Sequence, residues 1–169
     1  MASTAQLASH RQTLYFASLH CQQLAGEGAE SGALAGEPLQ HRQCLLEAAT
    51  QCLYRSSGFL AWHLVEQSAA NISPQLAGGQ AFDQWLVQMQ AVPAQDPAVQ
   101  QLVSAFTAPR PLADLIVAYQ SMWQPASANP RPADHLQLVD TTISLARCRE
   151  WHAALEDLAV ECLAMQSEF

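Results

Sequence analysis

The sequence predicts an all-α fold, on three observations. Apolar residues recur at three- and four-residue intervals over long stretches. No β-type alternation is longer than HLQLV (135–139). Prolines and glycines collect in short segments between the periodic runs. The expected architecture is an antiparallel helical bundle of three long helices plus shorter helices in the middle of the chain, one domain over residues 1–169. That length is enough to bury a core without disulfide or metal staples. Half of the residues are hydrophobic and only 13% are charged, which leaves wide faces to cover inside the domain or against a partner.

Taken in order, the spacing predicts a first helix over about 4–25, with Leu7, Leu14, Cys21 and Ala25 on one face and Ser3 or Thr4 as its cap. GEGAESGALAGEP follows and reads as a mobile connection near 26–37; Pro38, whose missing N–H costs little in a first turn, opens the second helix. That helix is expected over about 38–69, on a stripe of Leu45, Ala49, Cys52, Leu53, Leu60 and Leu64, with a kink point at Ser56-Ser57-Gly58. NISPQLAGG (71–79) breaks the pattern. Three short helices, 81–89, 98–106 and 112–123, are separated by prolines at 93, 97, 109, 111 and 125. A second mobile connection near 124–135 leads to a last helix from about Asp140, its expected cap, to Met165. Phe16 and Leu19 on the first helix and Trp62 on the second fall opposite the main stripes, so those helices are covered on two faces or meet a second subunit.

Composition narrows the functional classes. A net charge of −8 and a pI near 5.0 disfavour nucleic acid, whose phosphates need clustered cations. All seven basic residues are arginine, which removes Schiff-base chemistry and the lysine of a phosphate-binding loop. Five cysteines without a CxxC pair fit reduced thiols in a cytoplasm. The opening MASTAQLASHR lacks a basic leader and apolar core, and no run is apolar for the ~20 residues a bilayer requires. The expectation is a cytoplasmic protein with no membrane segment.

Reactive side chains are densest in RCREWH (147–152). Arg147 and His152 form an R-x4-H pair that resembles the signature of the helical HEPN-type ribonucleases. Five positions on a helix, however, set two side chains about 140° apart, so the pair would need a dimer cleft or an irregular helix start to meet on one phosphate. Cys148 and His152 share a helix face, as do His41 and Cys44, and together they suggest a Cys2His2 metal site. His10, His63 and His152 each fall on or beside the inward side of one long helix, a second metal or acid–base set. Against both stands the bland reading, in which each cysteine is a small buried hydrophobe and each histidine a hydrogen-bonded core-edge residue. A di-iron bundle needs inward Glu-x-x-His, whereas this chain has His63-x-x-Glu66 and places Glu47, Glu156, Asp157 and Glu161 outward. Arg42, Ser56, His63, Gln67 and Ser144 interrupt apolar stripes and would need partners if buried. Trp62, Trp85, Trp123 and Trp151 are expected in core or interface positions.

The segments RQTLYFASLHCQQL and HRQCLLEAATQCLYRSSGFLAWHLVEQ resemble a family of small uncharacterised all-helical gammaproteobacterial proteins. The resemblance covers the first half of the chain and, loosely, the rest. It implies a bacterial cytosolic helical domain and carries no activity, ligand or catalytic residue. The sequence therefore predicts a non-enzymatic interaction or accessory protein with no cofactor, meeting a protein partner or a second copy. The HEPN-like nuclease and the metal-binding bundle are the alternatives.

Overall fold

In the computed structural model, the described residues are 3–30, 38–67, 81–91, 96–107, 109–123 and 143–167, and they are all-helical, with no strand among them. Among the described residues there are six helices: α1 (Ser3–Glu30), α2 (Pro38–Gln67), α3 (Ala81–Ala91), α4 (Pro97–Ala105), α5 (Pro111–Met122) and α6 (Leu145–Ser167). None is long and apolar enough to cross a membrane.

α1 and α6 each bury a narrow seam at alternating steps of three and four. On α1 the seam is His10, Leu14, Ala17, Cys21 and Leu24; on α6 it is Cys148, Trp151, Leu155, Leu158 and Cys162. This near-3.5 repeat is the spacing that keeps one helix edge facing a neighbour along its whole length. Ala17 and Leu24 carry the α1 seam, while Leu7 and Ala25, expected on it, are half-buried.

α2 is different. Its buried positions come in adjacent pairs, among them Leu45 with Leu46, Ala49 with Thr50, Leu53 with Tyr54, and Leu60 with Ala61. Such pairing covers a wide arc of the helix, so α2 is central, with α1 and α6 on one side and α3, α4 and α5 against the other parts of the arc. Directions follow from particular contacts. His10 meets Ser56, while Cys148 meets Thr50 and Gln166 reaches the Leu64 carbonyl. α6 therefore runs in the same sense as α2. The expectation of antiparallel neighbours does not describe that pair.

Aromatic packing fixes the second side. Tyr54 of α2 stacks on Tyr119 of α5 with ring centroids 3.7 Å apart and meets Phe82 of α3 edge-on at 5.7 Å. Phe82 in turn packs against Trp85 and Phe106. The Tyr54 hydroxyl donates to Asp83 Oδ1 at 2.7 Å, and Asp83 Oδ2 accepts from Gln120 Nε2 at 3.1 Å, so one carboxylate joins α2, α3 and α5. Burial first, and then the neighbouring carboxylate, push the Tyr54 hydroxyl well above its ordinary pKa, so it stays a donor.

Helix boundaries differ from expectation in two places. α1 continues through GEGAE to Glu30, because alanine and glutamate are good helix formers and each glycine costs only about 1 kcal/mol. Residues 31–37 and 124–135, the rest of the expected mobile connections, lie outside the described residues, as do HLQLV and Asp140. α6 starts at Leu145 rather than near Asp140. Ser144 is its cap: the Oγ accepts from the Arg147 N–H at 3.3 Å, and its carbonyl accepts from the Cys148 N–H at 2.9 Å. Ser56-Ser57-Gly58 does not interrupt α2. Ser57 returns its hydroxyl proton to the Leu53 carbonyl, and a Cβ at Gly58 would only touch Phe82 Cβ at 3.8 Å.

Candidate functional site

The first turns of α6 sort RCREWH by helix face. Cys148 and Trp151 enter the core, Arg149 and Glu150 are exposed, and Arg147 and His152 are half-buried on different sides. Arg147 Nη2 lies 3.3 Å from Asp114 Oδ2 of α5. His152 Nδ1 lies 3.4 Å from Glu156 Oε2, one turn on, and its ring faces α1. Within one chain, then, the two residues of the R-x4-H pair are drawn to different neighbours, as five helical positions require.

On the α1 side, Ser18, Cys21 and Gln22 together with Arg149 and His152 line an open cleft of about 180 Å³. Cys21, itself buried, is part of that lining. Cys148, one turn before His152 on the same helix face, is fully buried and close enough to Cys21 for each thiol to affect the other's ionisation. Cys148 Sγ also lies 3.9 Å from Thr50 Oγ1 of α2, but the threonine gives its proton to the Leu46 carbonyl at 2.9 Å. With its own hydrogen committed there, Thr50 Oγ1 can only accept from the Cys148 thiol. The two thiols diverge in their titration. The neighbouring Cys148 thiol, and then the Arg149 charge, lower the Cys21 pKa against the opposing effect of burial; the neighbouring Cys21, together with burial, pushes Cys148 upward. Cys21 is the thiol that ionises first. The remaining cysteines are set apart. Burial raises Cys52, Cys162 is pushed up to about 12 by burial and bonds the Ala98 carbonyl, and Cys44 is exposed.

The expected histidine trio does not assemble. His10 and His63 are both buried where α1 meets α2, with the His63 charge among the influences on His10, but His152 belongs to the cleft. Among the described residues no group of three or more His, Cys, Asp or Glu side chains is placed to hold a metal ion. The Cys2His2 set is divided in the same way: Cys148 is in the core, while His41 and Cys44 are exposed near the start of α2. What His10 does make is a clasp. Its Nδ1 sits 3.0 Å from the Ser56 carbonyl, and Ser56 Oγ donates to the His10 carbonyl at 3.1 Å. A carbonyl only accepts, so Nδ1 carries the proton. Of the other polar residues that interrupt apolar stripes, Ser56 joins this clasp, Arg42 and Gln67 are exposed, and Ser144 is the cap of α6.

Three features escaped the sequence reading: the Cys21–Cys148 pairing, the Tyr54–Asp83–Gln120 bridge and the Asp96 cap of α4. The first had a faint signal, since each cysteine sits on a three–four seam, but two seams do not state their mutual register. The tryptophans divide between core and surface, with Trp85 and Trp151 buried, Trp62 half-buried, and Trp123 63% exposed at the end of α5. On α1, Tyr15 and Phe16 are 59% and 42% exposed, with ring centroids 6.2 Å apart. The chain matches no protein-family model, no curated protein and no solved structure.

Proposed function

We propose that this chain is a non-enzymatic helical interaction protein that docks through the outer face of α1, and that the docking partner is a second copy of itself. The observation that supports this reading is the exposed pair Tyr15 and Phe16, with Leu19 half-buried one turn on. These positions form a short apolar stripe at helical spacing on the side away from the core, and burying each aromatic ring contributes about 1.5–3 kcal/mol. Charge selects the same face. Between Ser3 and Gly26 the sole charged side chain is Arg11, whereas the chain as a whole carries −8. Two copies meeting along α1 avoid the like-charge repulsion that other faces impose, and a twofold pairing uses one self-complementary patch twice.

The finer architecture belongs to the same proposal: three long helices form the bundle, and the outer edge of α1 is its assembly surface. A bacterial cytoplasm is the compartment this reading expects, on the family resemblance and the five unpaired thiols. Sedimentation of the reduced chain across micromolar concentrations tests it. The wild type is expected to sediment as a dimer, and Tyr15→Ser with Phe16→Ser as a monomer of unchanged helicity. A monomeric wild type throughout, or a double variant that still dimerises, rejects the proposal.

A further inference from the structure

We infer that Cys21 and Cys148 form a peroxide-oxidation site, in which Cys21 is the attacked thiol and Cys148 the resolving thiol that closes a disulfide between α1 and α6.

Four observations on the molecule converge here. The two thiols belong to one contact between helices from opposite ends of the chain: Cys21 shares the cleft with Arg149 and His152, which follow Cys148 by one residue and by one helical turn. They are unequal in access: Cys21, 6% exposed, lines a cleft, whereas Cys148, at 0%, does not reach solvent. The cleft, about 180 Å³, has room for a small hydroperoxide, and its rim is polar, with Ser18, Gln22, Arg149 and His152. Finally, Arg149 supplies the positive charge that favours a thiolate and a departing oxyanion. Cys44 is the instructive contrast. It is more exposed than Cys21, but no second cysteine is recorded against it and burial imposes no order on its chemistry. Exposure alone would make Cys44 the first thiol oxidised; the paired geometry reverses that order.

The chemistry balances with a hydroperoxide as the sole oxidant. The Cys21 thiolate attacks one peroxide oxygen, forming an S–O bond as the O–O bond breaks. The departing oxyanion takes a proton, leaving an alcohol (water, for hydrogen peroxide) and a sulfenic acid on Cys21. Cys148 sulfur then attacks Cys21 sulfur. The S–S bond forms, the S–O bond breaks, and the departing hydroxide takes the Cys148 proton as water. Two thiols have been oxidised by two electrons and one peroxide reduced. The product ties α6 to α1 across the intervening helices, and a reducing thiol returns it to the starting state.

The test uses the full reduced chain and one equivalent of hydrogen peroxide, quenched in acid, alkylated in denaturant and mapped by non-reducing peptide mass spectrometry. The expected product is a linked Cys21–Cys148 peptide with Cys44, Cys52 and Cys162 alkylated, Cys21 being lost about tenfold faster than Cys44. Cys148→Ser is expected to stop at a Cys21 sulfenic acid that dimedone captures, and Arg149→Ala to slow the wild-type reaction several-fold. Oxidation or intermolecular linkage at Cys44 with Cys21 and Cys148 still alkylatable overturns the inference. So does a linked peptide that forms with oxidised glutathione but not with peroxide. The wild-type map decides the question even if a substituted chain fails to fold.

Discussion

His10 shows what the α1–α2 contact demands of a single residue. Its Nδ1–H is committed to the Ser56 carbonyl, and burial is the largest influence on its titration, lowering its pKa from 6.5; the charges of Arg11 and His63 push the same way, and the Ser56 bond opposes them. The folded protein therefore holds His10 neutral, while the unfolded chain protonates it near 6.5. Below that pH the unfolded state binds more protons, so the contribution of His10 to stability is complete above 6.5 and is lost as the pH falls, with a slope of at most about 1.4 kcal/mol per pH unit. Urea unfolding of the wild type and His10→Asn should show this. The stability difference between them is expected to shrink from about pH 7.5 to pH 5.5, and a difference that does not vary with pH would exclude the mechanism. The inward placement of His10 and His63 was legible in the sequence, because helical spacing puts each on a buried face. Their separation from His152 was not, because it depends on which side of α2 the last helix docks.

At the scale of helices, the type and order of all six were readable from periodicity and proline, and the ends were governed by local chemistry that periodicity does not see. α4 is the clearest case. Asp96 precedes Pro97, and its Oδ1 accepts from the N–H groups of Ala98 and Val99 at 2.8 and 3.1 Å, satisfying two of the donors that a helix start leaves open. Asp-Pro is a start signal of which the prolines alone gave only half. The cap matters beyond α4, because the adjoining turn holds Ala98, whose carbonyl accepts from Cys162 Sγ at 3.4 Å and so joins α4 to α6. Asp96→Ala is expected to cost about 1–2 kcal/mol, and Asp96→Asn much less, since asparagine keeps the accepting oxygen. Denaturant midpoints at constant slope measure both; equal losses would mean that charge at the helix start, rather than the capping bond, carries the effect.

Across the whole molecule the decisive element is α2, whose wide buried arc makes it a shared wall. The seam residues of α1 and α6 and the aromatic group of α3, α4 and α5 belong to one continuous cluster of buried side chains, with Leu53 and Tyr54 adjacent on α2 facing its two parts. The sequence announced a long second helix but not this centrality, because a single-stripe reading assigns one inner face where the structure uses two. A shared wall has a thermodynamic consequence: neither side can lose its packing without exposing apolar surface of α2 to water, so the two sides should unfold together. Trp151 reports from the α6 seam and Trp85 from the aromatic side, and both are buried. Variants in which phenylalanine replaces the other three tryptophans, leaving Trp151 or Trp85 alone, should give fluorescence transitions coincident with loss of helical ellipticity in each chain. Leu155→Ala, which opens a cavity in the α6 seam at a cost of about 2–5 kcal/mol, should lower the Trp85 midpoint as much as the Trp151 midpoint. If the Trp85 transition stayed in place while the Trp151 transition moved, the two sides would be independent units joined through α2, and the shared-wall account would fail.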